Sequence, residues 1–180
     1  MNRLIAVKNK KDLLPQFRKT PIESLFEFHN LSKPFKNFAK AQLLVGMCMD
    51  NRKYLHIPDN FAFILRNGGA NFRNDEFKIS YAISVGNVNA FALICHNNCG
   101  MVNLISRKEE FIKGLVENAG WKKNDAKEHF WHNAPQFEIG NEIDFVIGEA
   151  DRLRFRYPKI LIAPLFFNVD DNLLYQIKEK

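Results

Sequence analysis

Three side chains in this sequence have the type and spacing to hold a metal ion: Cys48, His96 and Cys99. His96-Asn97-Asn98-Cys99 follows the apolar run Ala90-Phe91-Ala92-Leu93-Ile94, which reads as a buried strand. A histidine and a cysteine three apart at the exit of such a strand can turn back onto one ion. Two protein ligands are too few for a stable zinc site, which has four, or three plus water. Cys48 leaves a second apolar run, Leu43-Leu44-Val45-Gly46-Met47. Sites in open α/β sheets form outside the carboxyl ends of parallel strands. Two strands ending in Cys48 and in His96…Cys99 would therefore bring the three ligands together. Two thiolates and a neutral imidazole favour zinc over magnesium or calcium. The competing reading is a set of buried thiols without metal.

The neighbours of these residues carry further chemistry. Cys95 is a rival thiol, but adjacent strand residues face opposite sides, so it reads as a small core residue. Asp50 has two possible jobs. As a fourth ligand it would close the site; paired bidentately with Arg52 it would leave that position for water. His56, His129 and His132 titrate near neutrality and are candidate proton shuttles, against the commoner surface or core role. Phe61, Phe63, Phe72 and Tyr81 form either an apolar pocket for a small uncharged gas or simply core.

Cys48-x-Asp50-x-Arg52, followed by His96-x-x-Cys99-Gly100, resembles the zinc signature of the β-class carbonic anhydrases. Arg66-Asn67-Gly68-Gly69 and Ser80-Tyr81-Ala82 are similar to intervening segments of that family, with shortened spacing. The resemblance is specific from about Leu43 to Val102. It implies a mostly parallel α/β sheet flanked by helices, Zn2+ held by Cys48, His96 and Cys99, and reversible hydration of carbon dioxide to bicarbonate. Zinc lowers the pKa of its bound water to about 7, giving the hydroxide that attacks carbon dioxide. Asp50 would orient that hydroxide, and Arg52 would hold Asp50 ionised. The resemblance also implies a homodimer or dimer of dimers with the cleft at the subunit interface. Gly100 would let a helix start approach the metal and stabilise the Cys99 thiolate. Two positions depart from the family. Cys95 stands where a glycine is usual. Val45 stands where a tryptophan accompanies the arginine that binds bicarbonate away from zinc, so Arg66 reads as structural. A relative acting on carbon disulfide or carbonyl sulfide, and a non-catalytic zinc-stabilised binding or regulatory protein, are the alternatives.

The elements that must position these residues follow from the rest of the chain. Its 180 residues make one domain, an N-terminal helical arm over 1–40 and a zinc-binding α/β domain over 41–180. Thr20-Pro21-Ile22-Glu23 predicts a capped helix start, and Phe35 to Ala41 a second short helix. Strands are expected at Leu43–Met47, Phe61–Leu65, Ala90–Cys95 and Ile160–Ala163, with a closing strand and turn over 165–177. Helices are expected over Glu76–Val85, after a capping box at Ser106–Glu109, and along the stripe from Ile143 to Tyr157. Residues 121–137 give no clear pattern. Strands alternating with helices argue for a parallel sheet. The net charge of +6 is scattered, without the interleaved aromatics of a nucleic-acid platform. No apolar run approaches the ~20 residues of a membrane span, and the N-terminal apolar segment is too short for a signal peptide. Three cysteines without a disulfide rhythm point to the cytoplasm, where thiols stay reduced.

Overall fold

The computed structural model describes residues 3–179. Its centre is β2 (Leu43–Cys48), a strand buried at every position. On one side it pairs in parallel with β3 (Ala62–Asn67), on the other with β4 (Ala90–His96). β4 pairs in parallel with β5 (Leu161–Asn168), and β6 (Leu173–Ile177) turns back antiparallel on β5. A short β1 (Leu4–Ala6) pairs antiparallel with β6. The sheet therefore runs β1-β6-β5-β4-β2-β3 and is parallel through its functional half.

Alternate residues of the central strands feed two layers. Val45 and Met47 of β2, with Ala92 and Ile94 of β4, pack under α1 (Pro21–His29). Ile22, Leu25, Phe26 and Phe28 of that helix are all fully buried in this chain's own core. Each stabilises by about 1.5–3 kcal/mol at full burial. Leu44, Phe91, Leu93 and Cys95 face the other way, against α2 (Glu76–Ser84) and α5 (Glu142–Arg156). A helical hairpin, α3 (Lys108–Ala119) and α4 (Lys123–Phe137), covers the carboxyl end of the sheet.

Several sequence expectations change. Thr20 caps α1 by accepting from the Ile22 amide, but Glu23 reaches past it to the Lys19 amide. Phe35 to Ala41 is not helical. Its aromatic rings dictate the path instead: Phe35 and Phe38 lie edge-on to Phe28, and Phe38 also meets Phe61. Ser106 does not cap α3; its hydroxyl donates to the Asn103 carbonyl inside a 3-10 turn at Leu104–Arg107. β5 runs straight through Pro164, whose missing donor falls just before the register with β6 begins at Leu165. Within 121–137, Lys123–Phe137 is helical, with Ala126, Phe130 and Ala134 as its buried stripe and Pro135 in the last turn.

Candidate metal centre

β2 and β4 are adjacent and parallel, so their carboxyl ends lie side by side. Cys48 closes β2, His96 closes β4, and the turn through Asn98, in the left-handed region at φ 55°, brings Cys99 back over them. The two thiol sulfurs and an imidazole nitrogen all lie within 4.8 Å of one another, and all three residues are buried. Cys48 Sγ and Cys99 Sγ are 4.0 Å apart. The His96 imidazole makes a 2.8 Å hydrogen bond from Nδ1 to the Asn97 carbonyl, which fixes the tautomer and leaves the Nε2 lone pair free. Nε2 is buried without a hydrogen-bond partner. An unpartnered buried imidazole nitrogen beside two thiols is costly in an apolar site, and a metal ion would satisfy all three at once.

Electrostatics agree with that donor set. The two thiols share one proton more easily than they hold two. Cys48 is pushed far down as a thiolate chiefly by accepting from the Cys99 thiol, and Cys99 is pushed up by the thiolate beside it. Cys95 behaves differently. It is buried with Leu44, Phe91 and Leu93 against α2 and α5, its thiol donates to the Leu165 carbonyl at 3.5 Å, and burial raises its pKa.

Asp50 stands outside the cluster, turned toward Arg52. Arg52 Nε donates to both carboxylate oxygens at 3.0 and 3.2 Å, Nη2 donates to Oδ2 at 2.6 Å, and the Arg52 amide donates to Oδ1 at 2.9 Å. These donors hold the Asp50 carboxyl well below the usual carboxylate range. Arg52 Nη2 also donates to the Asn98 carbonyl at 2.9 Å, which ties the first motif to the turn of the second. Arg66 braces the same loop from below. Its guanidinium donates to the backbone carbonyls of Cys48, Asp50 and Lys53.

No family model matches the chain, and no curated protein matches it by sequence. Solved structures do. The β-carbonic anhydrase isoform I of the protozoan Trichomonas vaginalis is similar with a TM-score of 0.65 at 16% identity, over 88% of this chain and 94% of that one. A carbonic anhydrase from Glaciozyma antarctica is similar at 0.59 and 19% identity, over 77% and 84%. The apo form of a carbon disulfide hydrolase is similar at 0.56 and 20% identity, over 78% and 80%. The fold is that of the β-carbonic anhydrases.

Within this β-carbonic anhydrase fold some expected placements differ. No helix begins at Gly100; the next α-helix along the chain is α3, beginning at Lys108. The Cys99 amide instead meets Glu142 Oε1 at 3.4 Å. The aromatic quartet does not form a pocket at the cluster. Phe61 and Phe72 are core, whereas Phe63 and Tyr81 line a shallow depression between β3 and α2. The cleft beside the cluster is one that sequence reasoning missed. It has a volume of about 380 Å³ and is walled by Met49, Met101, Leu104, Phe111, Phe130 and Phe137. Met49 follows Cys48 and Met101 lies two beyond Cys99, but the aromatic wall comes from Phe111 of α3 and from Phe130 and Phe137 of α4, a segment whose sequence gives no clear pattern. His129 also lines this cleft, stacked on Phe111, while His132 does not, and His56 lies against Phe35. Lys53 was missed as well, although a lysine directly after Cys-x-Asp-x-Arg was a visible signal.

Proposed function

We propose that this protein is a zinc-dependent carbonic anhydrase of the β class, with Cys48, His96 and Cys99 as the metal ligands and Asp50 and Arg52 as the catalytic pair. The observation that carries the reading is the three-donor cluster with Asp50 turned away from it. Three protein ligands with an open fourth position is the pattern of a catalytic zinc site, whereas four closed ligands mark a structural one. Zinc at this position supplies Lewis acidity, bringing the pKa of a water down to about 7.

The chain's own residues then have distinct tasks. Asp50 accepts a hydrogen bond from the attacking oxygen and turns a lone pair toward the carbon of carbon dioxide. Arg52 keeps Asp50 ionised and in place through its bidentate contact. The apolar cleft admits an uncharged linear molecule and offers little to a bicarbonate ion, which favours product departure. Arg66, engaged with three backbone carbonyls, acts as a loop brace.

A second reading has its own support. The cleft wall is almost wholly apolar, and one structure of this fold is a carbon disulfide hydrolase. Carbon disulfide or carbonyl sulfide would suit the same ligand set. The homodimer or dimer of dimers belongs to this proposal too. Ile64 of β3, Phe77 and Tyr81 of α2 and Val85 just after it leave an exposed apolar strip at the open sheet edge, fit for a second copy. Thiolate ligands require a reducing compartment, which supports the cytoplasm. The test is carbon dioxide hydration by zinc-loaded protein, with carbonyl sulfide hydrolysis run alongside. Faster turnover of carbon dioxide supports the first reading, and turnover of carbonyl sulfide alone supports the second.

A further inference from the structure

Lys53 is a charged residue buried in the site loop. Its side chain is fully shielded from solvent, and Nζ has no hydrogen-bond partner. A buried ammonium without compensation is strongly unfavourable, so its surroundings must supply the opposing charge. Asp50 is the carboxylate in reach, with Oδ1 3.9 Å from Nζ. The other charges that face Lys53 are the sulfurs of Cys48 and Cys99, which attract it, and the Arg66 guanidinium, which repels it.

Asp50 is therefore held from two sides. Arg52 grips it with direct hydrogen bonds, but the Arg52 side chain is 45% exposed and its attraction is partly screened by water. Lys53 is more distant yet buried, where the lower dielectric lets its charge act with less loss. We infer that Lys53 is a positioning residue: its buried ammonium, with the Arg52 guanidinium, holds the Asp50 carboxylate away from the Cys48–His96–Cys99 cluster and so keeps the fourth coordination position free for an exogenous ligand. The inference rests on the metal reading above.

Cobalt(II) is a spectroscopic probe for this position, because its thiolate charge-transfer bands report Cys ligation and its d–d bands report the fourth ligand. Cobalt-loaded wild type and Lys53→Met are titrated with thiocyanate, following the d–d bands. Methionine keeps the length and removes the charge, and replacing a buried charge by an apolar group of similar size tends to be neutral or stabilising. Wild type should bind thiocyanate at the metal. In Lys53→Met, Asp50 should fill the position. If the closed form reaches about nine-tenths of the molecules, the apparent affinity for thiocyanate falls about tenfold. The double variant Lys53→Met/Asp50→Asn should recover the wild-type response, because the amide is a poor ligand. Equal thiocyanate affinity in wild type and Lys53→Met, with charge-transfer bands present in both, would overturn this inference alone. A Lys53→Met protein that is weakened but not rescued by Asp50→Asn would also overturn it. A wild type showing no thiolate charge-transfer bands with cobalt would overturn the metal reading and this inference with it.

Discussion

Gly46 lies two residues before Cys48 on the same face of β2, and its missing side chain is a packing requirement that can be measured. It pairs with Leu65 of β3 on one side and Leu93 of β4 on the other, so the strand cannot shift sideways without moving the sheet. A methyl group added there would sit 2.7 Å from ring carbons of both Phe72 and Phe91. Carbon atoms in contact sit about 3.5–4.0 Å apart, so each ring would have to retreat by about 1 Å. Both rings are fully buried and have no open space to enter. Overpacking of this kind costs about 1–3 kcal/mol, and two immobile neighbours place Gly46→Ala near the upper end. Removing a strand glycine returns about 0.5–1 kcal/mol, leaving a net loss of about 2 kcal/mol. At about 2–4 °C per kcal/mol for a chain of this size, Tm should fall by about 4–8 °C. Gly148, inside α5, has nothing within 4 Å of the same added methyl, so Gly148→Ala should be neutral or stabilising by up to about 1 kcal/mol. Urea melts of both variants beside wild type measure the contrast. A Gly46→Ala protein as stable as Gly148→Ala would refute the packing described behind Cys48.

Two further outcomes follow from buried titratable groups. His29 accepts from the His56 amide through Nδ1 at 3.0 Å, so its proton sits on Nε2, which is buried without a hydrogen-bond partner. Burial lowers its pKa from 6.5 to about 4. The folded state thus resists a proton that the unfolded chain accepts. Its contribution is fully present above pH 6.5 and is lost as pH falls toward 4, by about 3 kcal/mol in all. Urea titrations of chelator-treated wild type and His29→Gln at pH 7 and 4.5 should show most of that loss in wild type only. Cys95 and Cys99 should separate by metal content: Cys95→Ala should retain stoichiometric zinc, and Cys99→Ala should lose it, as measured by plasma mass spectrometry.

The parallel half of the sheet was legible because continuous apolar runs of strand length, each ended by polar or glycine-rich turns, have few other structures to adopt. The same regularity made the three clustered donors legible: residues just past the ends of neighbouring parallel strands must lie together. What was missed depends on long-range packing. Phe35 to Ala41 contains helix-permitting residues, but its backbone follows where Phe35 and Phe38 find Phe28 and Phe61. In α4 the stripe Ala126, Phe130 and Ala134 was obscured by two alanines and by the charged residues between them. β1 is only three residues long and gains its partner, β6, from the far end of the sequence. The cleft wall could not be read for the same reason, since it exists only where α3 and α4 meet Met49 and Met101.

The most direct test of the central claim is stopped-flow carbon dioxide hydration on protein with quantified zinc, from about pH 6.5 to 9, a window that spans a water pKa near 7. Cys48→Ser is run beside it. The account predicts activity in wild type that rises with pH, and loss of both zinc and activity in the variant. Stoichiometric zinc in wild type with no hydration anywhere in that window would contradict it.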